Sequence, residues 1–372
     1  MGSGDDARWM RLALGLGARG LGRVWPNPAV GCVITRNGRV LGRGWTQAGG
    51  RPHAETMALA QAGPQARGAT AYVSLEPCSH HGKTPPCADA LIAAGVARVV
   101  VALCDPDPRV SGRGLAALRA AGIEVTEDVC APEARRAHRG FLTRVTQGRP
   151  MLTLKLATSA DGRIATATGE SQWITGPSAR AAVHGMRACH DAVMVGAGTA
   201  RADDPSLTVR GLGITHQPVR IVLSRRLDLP LDSRLHQSAR AVPVWLCHGP
   251  DAPAAARAAW DTAGAQRIEV ATGPGGQLDL GAVMAALGAS GLTRIFCEGG
   301  GALAAGLLSA DLVDDLAVIT AGIVLGAEGT PAIGAMGIAA LPEAPRFALH
   351  DTHRLGSDVL SLWGRDPTGD TP

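Results

Sequence analysis

Lysine is nearly missing from this chain: of 36 basic residues in 372, only Lys83 and Lys155 are lysines and the rest are arginines. Aromatic side chains are almost as scarce, at 3%, which argues against the stacking platform that a single-strand nucleic-acid groove needs. A formal charge of +4 leaves no strong electrostatic footprint for a polyanion either. No apolar run approaches the roughly 20 residues of a membrane span. The stretch from Met1 to Asp6 has neither the basic region nor the apolar core of a secretory signal. The cytoplasm is therefore the expected compartment. The eight cysteines, Cys32, Cys78, Cys87, Cys104, Cys130, Cys189, Cys247 and Cys297, read there as reduced thiols, two of them metal-bound, and not as a disulfide framework.

What is present is 46% hydrophobic and 18% charged residues, the balance of a globular enzyme. The length exceeds one ordinary core and favours two domains. Abundant alanine and glycine indicate a global bias in which arginine replaces lysine wherever any cation serves. The two surviving lysines are then expected where a compact ammonium, not a planar fork, is required.

Apolar residues recur at near-helical spacing over 7–22, and Pro26-Asn27-Pro28 interrupts the chain before an apolar strand at 29–35. Asn37-Gly38 offers a two-residue hairpin turn into a second strand ending near Trp45. Helical and strand-like patterns then alternate to about residue 125, and 131–147 reads as a basic helix. That alternation implies a largely parallel sheet covered by helices. Gly148-Arg149-Pro150 reads as a linker. A second alternation starts at Leu152 and ends in β-like segments at 345–353 and 357–363, with no repeat joining the halves. The fold class expected is α/β in two different domains, 1–148 and 149–372.

In the first half, His53-Ala54-Glu55 is followed by Pro77-Cys78 and by Cys87. One imidazole and two thiolates are ligands that Zn²⁺ prefers, and three protein ligands leave the fourth tetrahedral position for water. Glu55, two residues past the histidine, is placed to carry protons while that water attacks a ring carbon bearing an amino group. Zinc deaminases of bases usually separate the two cysteines by two residues, whereas eight, Ser79 to Pro86, separate them here. A purely structural zinc is the alternative; it needs a fourth protein ligand, for which His80 and His81 are the residues at hand. In the second half, Gly196-Ala-Gly198 after an apolar strand is half of a dinucleotide fingerprint. Glu298-Gly-Gly-Gly301 between a strand and a helix lets backbone N–H groups approach a phosphate, or simply makes a tight turn.

The stretches Pro26 to Cys32, Pro52 to Glu55, Leu75 to Cys87 and Asp105 to Gly114 together resemble the bifunctional deaminase/reductase family of riboflavin biosynthesis. Ser159-Ala-Asp-Gly-Arg163, Gly169 to Thr175, Val195 to Thr199, Asp203 to Arg210 and Glu298 to Gly301 resemble its reductase half. The resemblance covers nearly the whole chain in family order. It implies a cytidine-deaminase-like α/β/α sandwich over 1–148 and a dihydrofolate-reductase-like α/β domain over 149–372. The expected chemistry is zinc-dependent hydrolytic deamination of 2,5-diamino-6-ribosylamino-4(3H)-pyrimidinone 5′-phosphate, then reduction of the ribosyl chain to ribityl by NADPH. By position, His53, Cys78 and Cys87 hold one zinc and Glu55 moves the proton. Asn27, His80 and Lys83 meet the first substrate. Ala157, Trp173, Thr199, Asp203, Ser224, Gly300, Gly301 and Gly306 surround NADPH. Ser171, Arg187, Leu207, Arg210 and Glu298 surround the second substrate, with Asp203 as acid/base. A planar guanidinium suits the bidentate grip on a phosphate that Arg187 and Arg210 would supply.

The chain departs from the family pattern at Thr46, where histidine is usual, at Asp107, where asparagine is usual, and at Ala160, where leucine is common. The resemblance implies a homo-oligomer acting on a small phosphorylated pyrimidine, with neither nucleic acid nor membrane as partner. Two other readings stay open on the residues alone. One is a nucleic-acid base deaminase with an added domain, which would turn over single-stranded DNA or tRNA. The other is a zinc-stabilised binding protein, for which Glu55 has no use.

Overall fold

The computed structural model describes residues 3–79 and 85–365. The chain divides into two compact units, the first ending at Gly148 and the second starting at Arg149. The first contains α1 (Ser3–Gly17), β1 (Gly31–Arg36), β2 (Arg39–Trp45), α2 (Ala54–Ala62), β3 (Thr70–Val73), α3 (Cys87–Ala94), β4 (Arg98–Val101), α4 (Arg113–Ala120), β5 (Glu124–Thr126) and α5 (Ala131–Gln147). Its sheet runs β2-β1-β3-β4-β5.

The order follows from local chemistry. Arg36 pairs with Arg39 across Asn37-Gly38, and both turn residues have positive φ, 51° and 73°. That is the backbone a two-residue type I′ turn requires, so the Asn-Gly hairpin forms as its sequence predicts. β1 also pairs antiparallel with β3, while β3, β4 and β5 are parallel. The sheet is thus mixed, because the hairpin supplies two antiparallel pairings, β2–β1 and β1–β3, that a pure β/α alternation lacks. Every residue of β3 is buried, as expected of a strand covered on both faces.

Two helices lie on opposite faces of the hairpin, and glycines record how close they come. A side chain at Gly31 would meet the Ala13 carbonyl of α1 at 1.8 Å. Gly42 and Gly44 pair with Ile34 and Cys32, one residue out of phase with Gly31, and they face Ala58 and Ala54 of α2. Alternation along a strand sends these two sets to opposite sides. Gly31→Ala is expected to destabilise this unit by about 2 kcal/mol or more, because the obstacle is backbone that cannot rotate away. An unchanged thermal midpoint for the amino-terminal unit would refute the close approach.

The second unit contains β6 (Met151–Thr158), β7 (Arg163–Ala165), α6 (Pro177–Ala188), β8 (Ala192–Gly196), α7 (Ala197–Asp203), β9 (Val219–Leu223), α8 (Arg234–Gln237), β10 (Val244–His248) and α9 (Ala254–Ala263). It continues with β11 (Gln266–Glu269), α10 (Leu280–Ala289), β12 (Arg294–Cys297), α11 (Gly301–Ser309), β13 (Asp315–Thr320), β14 (Thr330–Pro331), β15 (Ala348–Leu355) and β16 (Asp358–Gly364). Nine strands form one sheet in the order β11-β10-β9-β8-β12-β6-β13-β16-β15. The seven from β11 to β13 are parallel, and β16 and β15 close it as an antiparallel hairpin.

β13 is not legible in the sequence pattern, because Asp314-Asp315 reads as a break. The structure explains it: the Asp314 carboxylate accepts two hydrogen bonds from the Arg149 guanidinium, at 2.7 and 2.9 Å, and one from the Leu152 amide. The acid becomes a fastener between β6 and β13 and no longer ends a strand. Among the described residues no helix is long and apolar enough to cross a membrane.

Candidate active sites

In the first unit His53 is the residue before α2, and Cys87 opens α3 directly after Pro86. Cys78 follows β3 on an extended stretch held by the Ala88 amide, which donates to the Cys78 carbonyl. The Cys87 amide donates to the Cys78 sulfur at 3.4 Å. His53 Nδ1 lies 3.3 Å from Cys87 Sγ and 3.6 Å from Cys78 Sγ, and all three donor atoms fall within 4.8 Å of one another. Tetrahedral Zn²⁺ with ordinary bond lengths puts such ligand pairs about 3.5–3.8 Å apart. The donor set therefore fits zinc in both chemistry and spacing.

The electrostatics agree. Hydrogen bonds from the Cys87 thiol and then from His53 bring the Cys78 thiol down to about 4. The Cys87 thiol is held up by that same contact and by burial. Glu55, in the first turn of α2, is only 3% exposed. Burial, and then the negative Cys78 sulfur, push its carboxyl up to about 7, where a group both takes and gives protons at neutral pH.

The remaining residues expected at this site are distributed as follows. Asn27 lies on the turn before β1, its amide packed against Gly50 just ahead of Pro52. His80 and Lys83 lie outside the described residues. Thr46 is buried and clamps the backbone of Val30: its Oγ1 accepts from the Val30 amide at 3.0 Å and donates to the Val30 carbonyl. Asp107 is also buried, and its carboxylate receives Arg109 Nε at 3.0 and 3.1 Å and Nη2 at 2.5 Å. The anion that this chain has in place of an amide thus comes with its own cation, two residues away.

In the second unit a cleft of about 1390 Å³ opens at the carboxyl ends of the parallel strands, lined from Lys155 and Ala157 of β6, Gly196 of β8 and Glu298 to Gly301 after β12. Open parallel sheets bind ligands at that end, and the volume exceeds what one small ligand needs. Ala157, Ser171, Trp173, Arg187, Thr199, Asp203, Leu207, Arg210, Glu298, Gly300, Gly301 and Gly306 all line it. Ser224 does not; it is buried beside the lining residues Leu223 and Arg225, its hydroxyl donating to Asp228 at 3.0 Å. A side chain at Gly299 would meet the Gly196 amide at 2.8 Å, and Gly300 has φ 48° with Thr199 Oγ1 over it. These glycines let the segment before α11 pack closely on β8 and α7 at the floor of the cleft, where the amino end of α11 suits a cofactor phosphate and the cleft volume suits a dinucleotide.

Its charges are more committed than the sequence implies. Arg187 donates Nε and Nη2 to the two oxygens of Glu298, at 2.5 and 3.0 Å, and Nη1 to the Thr208 carbonyl at 2.8 Å. Burial alone would raise the Glu298 carboxyl, but Arg187 and then Lys155 hold it below its ordinary value. Arg210 is exposed, and no carboxylate is paired with it among the described residues. It is thus the arginine of the pair left free for an incoming anion. Burial raises the Asp203 carboxyl against the pull of Lys155. Lys155 was outside the expected site residues, though its rarity marked it. It lines the cleft, and burial lowers its ammonium while Glu298 and Asp203 support the charge.

A zinc-fitted deaminase unit and a dinucleotide-fitted reductase unit on one chain define a two-activity enzyme, and comparison with known proteins gives the particular family. Residues 3–103 match the cytidine and deoxycytidylate deaminase zinc-binding region, and residues 150–361 match the RibD C-terminal domain. The chain is 43% identical to the riboflavin biosynthesis protein RibD of Escherichia coli, over 95% of this chain and 98% of that protein. It is 39% identical to RibD of Aquifex aeolicus, over 97% and 98%. The solved structure of Acinetobacter baumannii RibD (form 1) superposes with a TM-score of 0.88 at 38% identity, covering 98% of this chain and 99% of that one. The Thermotoga maritima diaminohydroxyphosphoribosylaminopyrimidine deaminase/5-amino-6-(5-phosphoribosylamino)uracil reductase superposes at 0.84, with 32% identity over 97% and 99%. The chain belongs to the RibD family. It is a riboflavin-biosynthesis enzyme with a zinc-type deaminase domain and an NADPH-dependent reductase domain.

Proposed function

We propose that the unit ending at Gly148 deaminates 2,5-diamino-6-ribosylamino-4(3H)-pyrimidinone 5′-phosphate and that the unit from Arg149 reduces its ribosyl chain, giving 5-amino-6-(5-phosphoribitylamino)uracil. The observation that carries this is the convergence of His53, Cys78 and Cys87 on one point with buried, up-shifted Glu55 behind them. A fourth protein ligand is not needed, and a structural zinc has no role for that carboxyl.

His53, Cys78 and Cys87 would hold zinc, which when bound would make water nucleophilic at neutral pH. Glu55 takes a proton from the attacking water and delivers it to the departing exocyclic amino nitrogen, which leaves as ammonia while the ring carbon gains an oxygen. Asn27 orients the pyrimidine, with His80 and Lys83 as further substrate contacts.

In the reductase, NADPH supplies the hydride. Gly300, Gly301 and Gly306, with Ala157, Trp173 and Thr199, would hold the cofactor, and Ser224, buried off the cleft, takes no part in that contact. Arg210, with Ser171 and Leu207, receives the phosphorylated sugar, and the Arg187–Glu298 pair shapes that end of the cleft. Asp203, on the cleft wall with a raised carboxyl, would hand a proton to the opened ribose as C1′ accepts hydride, and Lys155 lines the same floor. Asp203→Asn should lower NADPH oxidation by about a hundredfold with ammonia release unchanged, and loss of deamination instead would mean that the two domains had been assigned the wrong way round.

The decisive experiment is mass spectrometry of the product formed from the diaminopyrimidine phosphate with and without NADPH. Deaminated ribosyl product alone, then ribityl product on adding NADPH, is expected; turnover of single-stranded DNA or tRNA but not of this substrate would overturn the reading. We place the enzyme in the cytoplasm, where thiols such as these stay reduced, and as a homo-oligomer by likeness to the family, which light scattering on the purified protein tests.

A further inference from the structure

Arg220 sits in the middle of β9, between Val193 of β8 and Val244 of β10, and is 0% exposed. A buried guanidinium normally keeps a carboxylate beside it, since an isolated charge is costly to remove from water. Among the described residues none is paired with Arg220, and burial alone accounts for the lowering of its pKa to about 10. Its hydrogen bonds go to neutral oxygens instead. Nη1 donates to Ser238 Oγ at 2.7 Å and to the Ser206 carbonyl at 3.3 Å; Nη2 donates to the carbonyls of Ser238 at 3.1 Å and Val242 at 2.6 Å. Nε has no partner among the described residues. A charge retained under those conditions calls for a function.

The Ser206 carbonyl belongs to the turn 203–207, whose residues Asp203, Pro205, Ser206 and Leu207 line the cleft. That turn is conformationally expensive: Asp204 and Leu207 have φ of 38° and 53°, a left-handed backbone that non-glycine residues hold only where their surroundings over-determine it. Two fastenings do so, and both reach the same neighbouring segment. On one side Asp204 Oδ1 accepts from the Arg234 amide at 2.8 Å, at the start of α8. On the other Arg220 bridges the Ser206 carbonyl to Ser238 and Val242, just beyond α8.

We infer that Arg220 is a positioning residue of the reductase: its buried guanidinium holds the turn that carries Asp203 and Leu207 against the 233–242 segment, and so sets where the acid/base carboxyl and the substrate contact stand in the cleft. The inference rests on the reductase reading of that cleft. Arg220 itself touches neither substrate nor cofactor. Its effect runs through the carbonyl of Ser206, and a shift of about 1 Å in reacting groups can cost on the order of a hundredfold in rate.

The test uses the full-length enzyme loaded with zinc and measures both reactions on each preparation, well below its unfolding midpoint. In Arg220→Met, kcat/KM for reduction of the deaminated intermediate should fall by about tenfold or more, while ammonia release by the same molecules stays unchanged. Arg220→Lys should recover part of the loss, because an ammonium reaches the Ser206 carbonyl or the Ser238–Val242 pair but not both. Wild-type values of kcat and KM in Arg220→Met, with only a lower unfolding midpoint, would show a mere fold support and overturn the inference. Should Arg220→Met not accumulate as folded protein, Ser238→Ala removes one acceptor and leaves the charge in place. A rise of about threefold in KM for the intermediate is then expected, and unchanged kinetics overturn the proposal. Absence of NADPH oxidation by the wild-type enzyme would instead defeat the reductase assignment, so the two failures are distinct.

Discussion

Glu55→Gln should deaminate its substrate about 10²–10⁴ times more slowly than the native enzyme, the range over which a positioned acid/base group contributes, while retaining one zinc per chain. The side chain is nearly isosteric and the position is buried, so packing is conserved and the change removes the titratable oxygen alone. Zinc retention is the discriminating half of this result. Glu55 stands two residues beyond His53 on the first turn of α2 and is not among the three donor atoms that meet. Elemental analysis of the variant should therefore match the native protein. Deamination within tenfold of native would exclude Glu55 as the proton carrier, and loss of the metal would make it a ligand.

Cys87→Ser should abolish ammonia release by releasing the metal, and Cys78→Ser should do the same. Removing one of three ligands leaves an imidazole and a single thiolate, too few to hold a zinc whose fourth position must stay open to water. The amino-terminal unit should also unfold at a lower temperature, since binding energy for a structured metal site is in part folding energy. Reduction of the deaminated intermediate should continue at the native rate, because the second unit has its own sheet and a cleft built wholly from its own residues. Persistence of both activities in metal-free variants would sink the two-site scheme. Loss of both would mean that the units depend on one another for folding.

Much of the first site was readable without coordinates. The His53-x-Glu55 and Cys87 signals are short-range: each sits at the start of a helix or directly ahead of one, where a few neighbouring residues determine the backbone, and Cys78 joins them from the stretch after β3. The Asn37-Gly38 turn is legible for the same reason, since positive φ at two successive residues selects those side chains. β13 was not, because the solvation of Asp314 depends on Arg149, 165 residues away. Thr46 and Asp107 stood out as departures; the outcome for Thr46 hangs on Val30, 16 residues away, whereas the partner of Asp107 stands two residues on. Thr46 closes on Val30, and Asp107 is gripped by Arg109, so neither projects an uncompensated charge. Ala160 is exposed, its amide donating to the Ile323 carbonyl, so a smaller side chain there opens no hole in the core.

By itself the sequence pointed to a soft-metal donor set with a carboxyl beside it and to a glycine turn between a strand and a helix. Those are properties of residue types at short spacing, and short spacing survives in any fold that forms. Only the tertiary structure decided which of those groups remain available. It engaged Arg187 with Glu298 across 111 residues, left Arg210 with no paired carboxylate among the described residues, half-buried Lys155 beside two acids and set Arg220 against the turn 203–207. The reason is physical: whether a charged group is neutralised, desolvated or open to a ligand depends on neighbours brought by packing, and those neighbours lie far away along the chain.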